Sequence, residues 1–237
     1  MKSYFRFKQF TIHQEACAMK VGTDGVLLGA WCNAEGKLAL DIGTGTGIIA
    51  IMLAQRNPQV QVIGIEIDKS ASDQAKRNME QSPWGARLKC LQDDFNSFST
   101  QCDARFDLIV SNPPFFVDSL KGPLQDRNLA RHADGLSYSD LLSGVQRLLT
   151  LTGIFALILP YVEGNLFIAM ASEYGLCCTR KTCVFAKKGR NVKRLLLEFQ
   201  NQHQKPFREN QLCIENEQVG SYTTEYQELT KDFYLNF

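Results

Sequence analysis

Residues 38–47, Leu-Ala-Leu-Asp-Ile-Gly-Thr-Gly-Thr-Gly, constrain the fold of this chain more than any other stretch. An apolar run ends at Asp41, alternating glycines follow, and an apolar helical pattern begins at Ile48. Glycine adopts backbone angles that other residues avoid, and it lets a ligand approach the main chain closely. The pattern therefore predicts a buried strand, a tight ligand-binding turn and a helix, which together open a doubly wound α/β domain.

Two features of this turn favour one ligand over another. Gly43, Gly45 and Gly47 partly match a dinucleotide fingerprint, but the third glycine of that motif would stand at Ile48. The carboxylate of Asp41 would repel a pyrophosphate and attract a cation. S-adenosylmethionine (SAM) carries a sulfonium and an ammonium group and no phosphate. The turn therefore favours SAM over NAD as the cofactor.

Strand and helix patterns alternate along the rest of the chain. After the glycine turn, strands are predicted over residues 60–65, 88–91, 106–110, 154–159, 182–186, 192–199 and 212–214. Six helices are predicted. Thr23 caps the first, the second spans residues 48–56, and the third runs from Asp68 to about Ser82. The fourth begins at Ser137, the fifth spans residues 163–174, and the sixth begins at about Thr223. Residues 4–13 alternate like a strand or hairpin, and residues 117–136 are polar and predict a long loop.

This alternation predicts a Rossmann-like α/β fold with a seven-stranded, mostly parallel sheet and helices on both faces. The loop 187–191 is too short for a crossover helix, so the last strand pair should be antiparallel. We expect a single domain over residues 1–237, with an N-terminal extension (1–35), a SAM-binding core (36–200) and a C-terminal strand and helix (201–237).

Polar side chains follow four consecutive predicted strands. They are Asp41, Glu66, Asp94 and Asn112. Ligands of doubly wound sheets bind at the carboxyl ends of the strands, so these side chains should share one site. The alternative is that each acid only caps the next helix, as Asp68 is expected to do. Glu66 follows Gly43 at the spacing from which an acid accepts hydrogen bonds from ribose hydroxyls.

The stretch Asn112-Pro113-Pro114-Phe115 is the most specific chemical signal. Two prolines stiffen the backbone and remove two amide donors, so the loop presents oxygen acceptors. Such acceptors hold an amino group on a planar ring, localise its lone pair and direct it at a methyl group. Phe115 can stack on the flat substrate. The alternative is a rigid turn with a buried aromatic ring.

With these residues the chain resembles class I SAM-dependent methyltransferases of the N6-adenine type, whose motif is Asn/Asp/Ser-Pro-Pro-Tyr/Phe. Residues 5–10, 19–31 and 81–84 are also similar to those of the bacterial tRNA(Val) adenine-37 N6-methyltransferases. The resemblance implies methylation of the adenosine next to the anticodon of tRNA(Val).

The resemblance also implies roles for individual residues. Asp41, Gly43 and Gly45 would hold the methionine end of SAM, Glu66 its ribose and Asp94 its adenine. Asn112 and Pro113 would orient the substrate amine, with Phe115 stacking on the base. Thr23 and Asp24 would close over the cofactor, although a plain helix cap is an alternative for this pair. No metal, catalytic cysteine or catalytic histidine is implied.

Basic residues are concentrated near the end of the chain. Residues 177–197 hold seven basic residues and no acid, although the net charge of the whole chain is only +1. This asymmetry predicts a local phosphate-binding face for tRNA, and the alternative is a solvated surface. The candidate RNA-binding residues are Lys187, Lys188, Arg190, Arg180 and, in the loop after Asn112, Arg131.

Other features limit the possibilities. Eight cysteines and three histidines lack the spacing of metal ligands, so we expect reduced thiols and no metal. No apolar stretch is long enough for a membrane span, which predicts a cytoplasmic protein. No feature of the sequence points to an obligate protein partner. Three alternatives to the adenine enzyme remain at this point: an RNA guanine-N2 methyltransferase, a protein-glutamine N5-methyltransferase, and a SAM- or RNA-binding module without turnover.

Overall fold

A computed structural model describes residues 3–113, 136–201, 206–218 and 220–237. An eight-stranded sheet has the order β10-β8-β9-β7-β6-β3-β4-β5, and β1 and β2 form a separate antiparallel hairpin. The strands are β1 Tyr4–Arg6, β2 Thr11–His13, β3 Leu38–Ile42, β4 Gln61–Glu66, β5 Leu88–Gln92, β6 Phe106–Ser111, β7 Leu149–Pro160, β8 Cys177–Lys187, β9 Val192–Gln200 and β10 Arg208–Glu215.

Helices cover both faces of this sheet. They are α1 Thr23–Trp31, α2 Ile48–Arg56, α3 Lys69–Gln81, α4 Phe95–Gln101, α5 Tyr138–Leu148, α6 Tyr161–Glu173 and α7 Thr224–Thr230. One apolar cluster joins α1, α2, α3, α7 and the hairpin to one face. A second cluster joins α4, α5 and α6 to the other. The two clusters bury the alternating side chains of the central strands, which confirms the predicted α/β class.

The sheet corrects the predicted strand count from seven to eight. Strand β10, predicted only as a short strand at 212–214, runs over Arg208–Glu215 and pairs in parallel with β8. Its first half, Arg-Glu-Asn-Gln, is exposed at the edge of the sheet, so it lacks the apolar alternation that predicts a strand. The predicted antiparallel pair is confirmed, because β9 runs opposite to both β8 and β7.

Helix boundaries agree with prediction in some places and differ in others. Asp68 and Ser137 cap α3 and α5 as expected, through backbone amides at Ala71 and Asp140. The predicted capping role of Thr23 is wrong: Gly22 is the N-cap of α1, and it offers no side chain for capping. Helix α4 was not predicted, because Phe-Asn-Ser-Phe-Ser-Thr-Gln is short and rich in poor helix formers.

The N-terminal hairpin packs against the C-terminal end of the chain. The Lys8 ammonium donates to the carbonyls of Lys231 and Phe237, each at 2.6 Å. The ring of Phe7 stacks on Phe10 and Tyr234, with centroids 4.6 and 5.9 Å away. This packing holds the segment between β2 and α1 in place beside the sheet.

No membrane-length apolar helix, metal-ligand cluster or disulfide occurs in the described parts of the chain. Within those ranges no helix is long and apolar enough to cross a membrane. Across the same residues, no three His, Cys, Asp or Glu side chains cluster as metal ligands would. All eight cysteines are free thiols. The predicted loop 117–136 lies outside the described residues except for Leu136.

Candidate active site

The four polar strand ends lie side by side at one edge of the sheet. Strands β5, β4, β3 and β6 are adjacent and parallel, so their carboxyl ends meet there in that order. The chain order reverses between β3 and β6, which is the switch point where doubly wound sheets bind ligands. Ser111 pairs with Ile42 across this point, and its hydroxyl donates to the Ile42 carbonyl at 3.0 Å. The site therefore centres between Asp41 and Asn112.

The glycine turn has the strained backbone that its sequence predicts. Gly43, Gly45 and Gly47 have φ angles of 68°, 55° and 81°, in the left-handed region that favours glycine. Gly64 on the neighbouring strand is also required, because a Cβ there would lie 2.9 Å from the Thr44 side chain. The turn thus stays open on one side and tightly packed on the other.

Asp41 is completely buried at the base of the turn. Its Oδ2 accepts a 2.6 Å hydrogen bond from the Thr44 hydroxyl, and its Oδ1 has no partner within hydrogen-bond distance among the described residues. Burial raises the pKa of this carboxyl to about 7, and the Thr44 hydroxyl and the Ala50 amide offset part of that rise. The Ala50 amide favours the charge only in part and makes no hydrogen bond to Oδ1, so a cationic ligand there would supply a direct partner.

Glu66 ends β4 beside the glycine turn. Its Oε2 accepts from the Gly45 amide at 2.9 Å, and its Oε1 accepts from the Asp68 amide at 3.0 Å. Each carboxylate oxygen has two lone pairs, so both oxygens can accept one further hydrogen bond. The two amides fix the orientation of the carboxylate, and its remaining lone pairs can accept from a ligand.

Asp94 caps helix α4, which is one of the two roles considered for it. Its Oδ1 accepts from the Ser97 amide at 3.0 Å and caps α4, as the alternative interpretation expects. Its own amide is held by Asp93, whose amide donates to the Glu66 carbonyl. Capping engages only one oxygen, so the second stays free for a ligand at this edge.

Asn112 follows β6 on the other side of the switch point. Its side-chain oxygen is buried without a hydrogen-bond partner among the described residues. A buried acceptor without a partner costs free energy, so a structure that keeps one points to a ligand that supplies the donor. Pro113 is buried beside it. Pro114 and Phe115 lie outside the described residues, and their predicted roles stay predictions.

The sequence did not identify Asn78, which connects the N-terminal segment to the glycine turn. This buried side chain on α3 accepts from the His13 amide at 3.0 Å and donates to the carbonyls of His13 and Thr46, each at 2.8 Å. The signal was available, because Asn78 interrupts the buried stripe of Ala71, Ala75 and Met79. Asn78 therefore anchors the segment before α1 to the cofactor turn.

Replacing Asn78 with alanine is expected to lower the free energy of unfolding by about 2–4 kcal/mol, because two partly buried backbone groups of His13 and the buried carbonyl of Thr46 lose their partners. Urea denaturation measures the change. The control is Asn96→Ala, which removes an exposed asparagine from another helix and should change stability by less than about 0.5 kcal/mol. A loss below 1 kcal/mol for Asn78→Ala would contradict the anchoring role.

Cys17 also lies against the turn. Its thiol is 3.7 Å from the Gly45 carbonyl, and burial raises its pKa to about 11. A thiol with this pKa is neutral at physiological pH, so Cys17 is a packing group and a poor nucleophile.

Asp24 lies near the same edge at the start of α1. Its carboxylate accepts a 2.8 Å hydrogen bond from Arg194, which pairs across the sheet with Pro160 at the carboxyl end of β7. The ion pair thus joins α1 to β9, and the predicted closure of Thr23 and Asp24 over a cofactor stays a prediction.

The structure separates the predicted basic residues into different places. Arg180 lies near the start of β8, roughly 23 Å from its carboxyl end, and its guanidinium stacks on Trp31 at 4.0 Å and pairs with Glu198 at 3.4 Å. Lys187 pairs with Glu215 at 3.4 Å. Lys188 and Arg190 are exposed in the β8–β9 loop. Arg131 lies outside the described residues.

Comparison with known proteins identifies relatives over the full chain. A tRNA1(Val) (adenine(37)-N6)-methyltransferase from Histophilus somni is 45% identical over 238 residues, covering 100% of this chain and 99% of that protein. A protein of the same name from Bacteroides thetaiotaomicron is 46% identical over 240 residues, covering 98% of each. The chain belongs to the tRNA1(Val) (adenine(37)-N6)-methyltransferase family.

Two further comparisons concern the methyltransferase domain and its fold. Residues 20–134 match the family model described as "Methyltransferase small domain". A solved structure described as a predicted O-methyltransferase from Agrobacterium tumefaciens has a TM-score of 0.67 at 16% identity, covering 89% of this chain and 96% of that one. At this identity the likeness concerns the fold alone. The predicted family, the methyltransferase activity and the SAM dependence are confirmed.

Proposed function

We propose that this enzyme transfers a methyl group from SAM to N6 of adenine 37 in tRNA1(Val). The relatives that are 45% and 46% identical carry this activity in their names. The observation that carries the proposal is the buried, unpartnered oxygen of Asn112 at the switch point of the sheet. An exocyclic amine supplies the donor that this oxygen lacks.

The residues at the carboxyl edge fit SAM. The unpartnered Asp41 oxygen suits an ammonium group, and the glycine turn leaves room for a ligand against the main chain. Glu66 would hold the ribose and Asp94 the adenine amino group. When bound there, SAM supplies a methyl group on a positively charged sulfur. The field of Asp41 and Glu66 favours such a cation over a phosphate.

Asn112 and Pro113 would orient the target base. The Asn112 oxygen accepts one N6 hydrogen, and the proline-rich backbone after it offers carbonyl acceptors without competing amide donors. Two acceptors draw the amino nitrogen out of the ring plane and localise its lone pair for attack. The methylated nitrogen then loses one proton to water, which leaves a neutral N6-methyladenine.

Incubation of the protein with labelled SAM and total tRNA, followed by nucleoside mass spectrometry, tests the activity. N6-methyladenosine supports the proposal. N2-methylguanosine would favour the RNA guanine-N2 methyltransferase. Label in a protein substrate would favour the protein-glutamine methyltransferase, and the absence of any product would favour the binding module. A tRNA substrate also fits the predicted cytoplasmic location.

Lys188 and Arg190 would bind tRNA phosphates beside this site. Strands β8 and β9 are antiparallel, so their loop lies at the carboxyl edge with Asn112, and both cations are exposed. Arg180 is left out because its charge is engaged far from this edge.

Replacing both Lys188 and Arg190 with alanine is expected to weaken tRNA binding about ten-fold at low salt. It should also lower the slope of log affinity against log salt by about 1.5, because two phosphate contacts are lost. Filter binding over a salt series measures both values, and SAM affinity should not change. Lys231→Ala is the control, because it removes an exposed cation next to Asp232, whose carbonyl accepts from Gln55 near the end of α2 and so away from the carboxyl edge. An unchanged salt slope in the double variant would contradict this surface.

A further inference from the structure

An exposed apolar surface begins helix α6, and no role described above accounts for it. Tyr161, Val162 and Leu166 are 46%, 53% and 53% exposed. The buried side of α6 is formed by Gly164, Phe167 and Ala171, so Val162 and Leu166 lie on the opposite side of the helix, and Tyr161 lies at the flank in the first turn. No ring of another described aromatic residue contacts Tyr161. A helix in a globular protein usually turns polar side chains outward, so this surface is a candidate for binding.

The position of Tyr161 places this surface at the active edge. Strand β7 runs parallel to β6, with Leu157 opposite Ser111, and it ends at Pro160. Tyr161, the first residue of α6 after this neighbouring strand, therefore lies about 10 Å beyond the level of Asn112. One or two nucleotides of a single strand can span that distance.

Cations lie at the same edge of the sheet as the exposed ring. Pro160 pairs with Arg194 in β9, so Tyr161 and Lys193 each lie one residue beyond this last pair, and the β8–β9 loop with Lys188 and Arg190 lies at the same edge. These three cations are exposed, and none has an acid within 4 Å in the described parts of the chain. Burial raises the pKa of the Tyr138 phenol to about 12, and the charge of Glu163, the acid of this helical turn, adds to that rise.

We propose that Tyr161 is a stacking platform for a nucleobase of the tRNA anticodon loop that neighbours the target adenosine. The inference rests on the proposed function and deepens it, because it assigns a residue that holds the strand beside the methylated base. Single-stranded nucleic acid binds where an aromatic ring is combined with cations that follow the phosphates. Val162 extends the apolar surface under the base. A protein partner fits less well, because three apolar side chains form a surface far smaller than a protein interface of about 800 Å² per partner.

Three variants test the platform. Tyr161→Ala should raise the dissociation constant for an anticodon stem-loop about ten-fold, because a stacked base is lost. Tyr161→Phe keeps the ring and should stay within about two-fold of wild type. Leu151→Ala removes a side chain that is 77% exposed at the opposite edge of the sheet, and it should change nothing. Fluorescence anisotropy measures RNA binding, and calorimetry checks that SAM affinity is unchanged.

A substrate scan distinguishes stacking from a structural effect. Stem-loops with a single abasic nucleotide at each loop position other than the target should include one for which wild type and Tyr161→Ala bind equally. Equal penalties at every position, or an equal loss in Tyr161→Phe, would overturn the proposal. So would a change in oligomeric state of Tyr161→Ala in light scattering with RNA binding intact, since it would assign the surface to a second copy. Absence of N6-methyladenosine with the wild-type enzyme would instead contradict the proposed function.

Discussion

Replacement of Asn112 by alanine is expected to lower kcat for tRNA methylation about a hundred-fold or more, while SAM affinity stays within about two-fold of wild type. The side-chain oxygen is buried and unpartnered until a donor arrives, so its main interaction forms with the substrate amine. Single-turnover kinetics with labelled SAM measure the chemical step, and calorimetry measures SAM binding.

Stability separates this loss from misfolding. Because Oδ1 makes no hydrogen bond within the described protein, Asn112→Ala should keep its free energy of unfolding within about 1 kcal/mol of wild type. Asn112→Asp is the matched variant, since it retains an acceptor oxygen and should recover part of the rate. Turnover of the alanine variant within five-fold of wild type would remove the proposed role of this residue.

The central part of the site was predictable because its signals are local. Each strand that leads to the site is a short apolar run, and each polar residue follows directly after it. Parallel pairing then brings Asp41, Glu66, Asp94 and Asn112 together at one edge, as expected. The glycines at 43, 45 and 47 indicated a turn with positive φ angles, since few other residues adopt positive φ.

Long-range partners were not predictable from one sequence. Strand β10 is stabilised by pairing with β8, about 28 residues earlier, and its exposed half carries no apolar pattern. The basic run illustrates the same limit. Its charges look alike in sequence, but Glu198, Glu215 and Asp24 neutralise some of them from distant elements. The folded arrangement shows which of these cations stay exposed and without an acidic partner among the described residues.

Ionisation of Asp41 is expected to make the affinity for SAM depend strongly on pH. SAM affinity should rise between about pH 6 and pH 8, because burial raises the pKa of Asp41 to about 7 and only the carboxylate attracts an ammonium group. Asp41→Asn should bind SAM about 10- to 100-fold more weakly at pH 8, and the difference should shrink at pH 6. Calorimetry in buffers of different ionisation enthalpy should also detect proton release on binding near pH 7.

The same carboxyl predicts a stability change of defined sign in the absence of SAM. The pKa is 3.8 in a model peptide and about 7 in the fold, so between these values the folded chain binds more protons than the unfolded chain. Stability from this group is therefore greatest below pH 4 and is lost as pH rises through 7. Asp41→Asn should remove that loss and be more stable than wild type at pH 8, by about 2–4 kcal/mol.

Asp103→Asn, at an exposed position before β6, is the matched control and should keep both wild-type pH profiles. If Asp41→Asn is more stable at pH 8 yet binds SAM less tightly, one group accounts for both effects. Desolvation of the Asp41 charge then lowers the free energy of unfolding of the SAM-free protein, and the bound ammonium group offsets that loss. A wild-type SAM affinity that does not vary between pH 6 and pH 8 would show that Asp41 is already ionised before the cofactor arrives, and the argument for an ammonium partner at Oδ1 would fail.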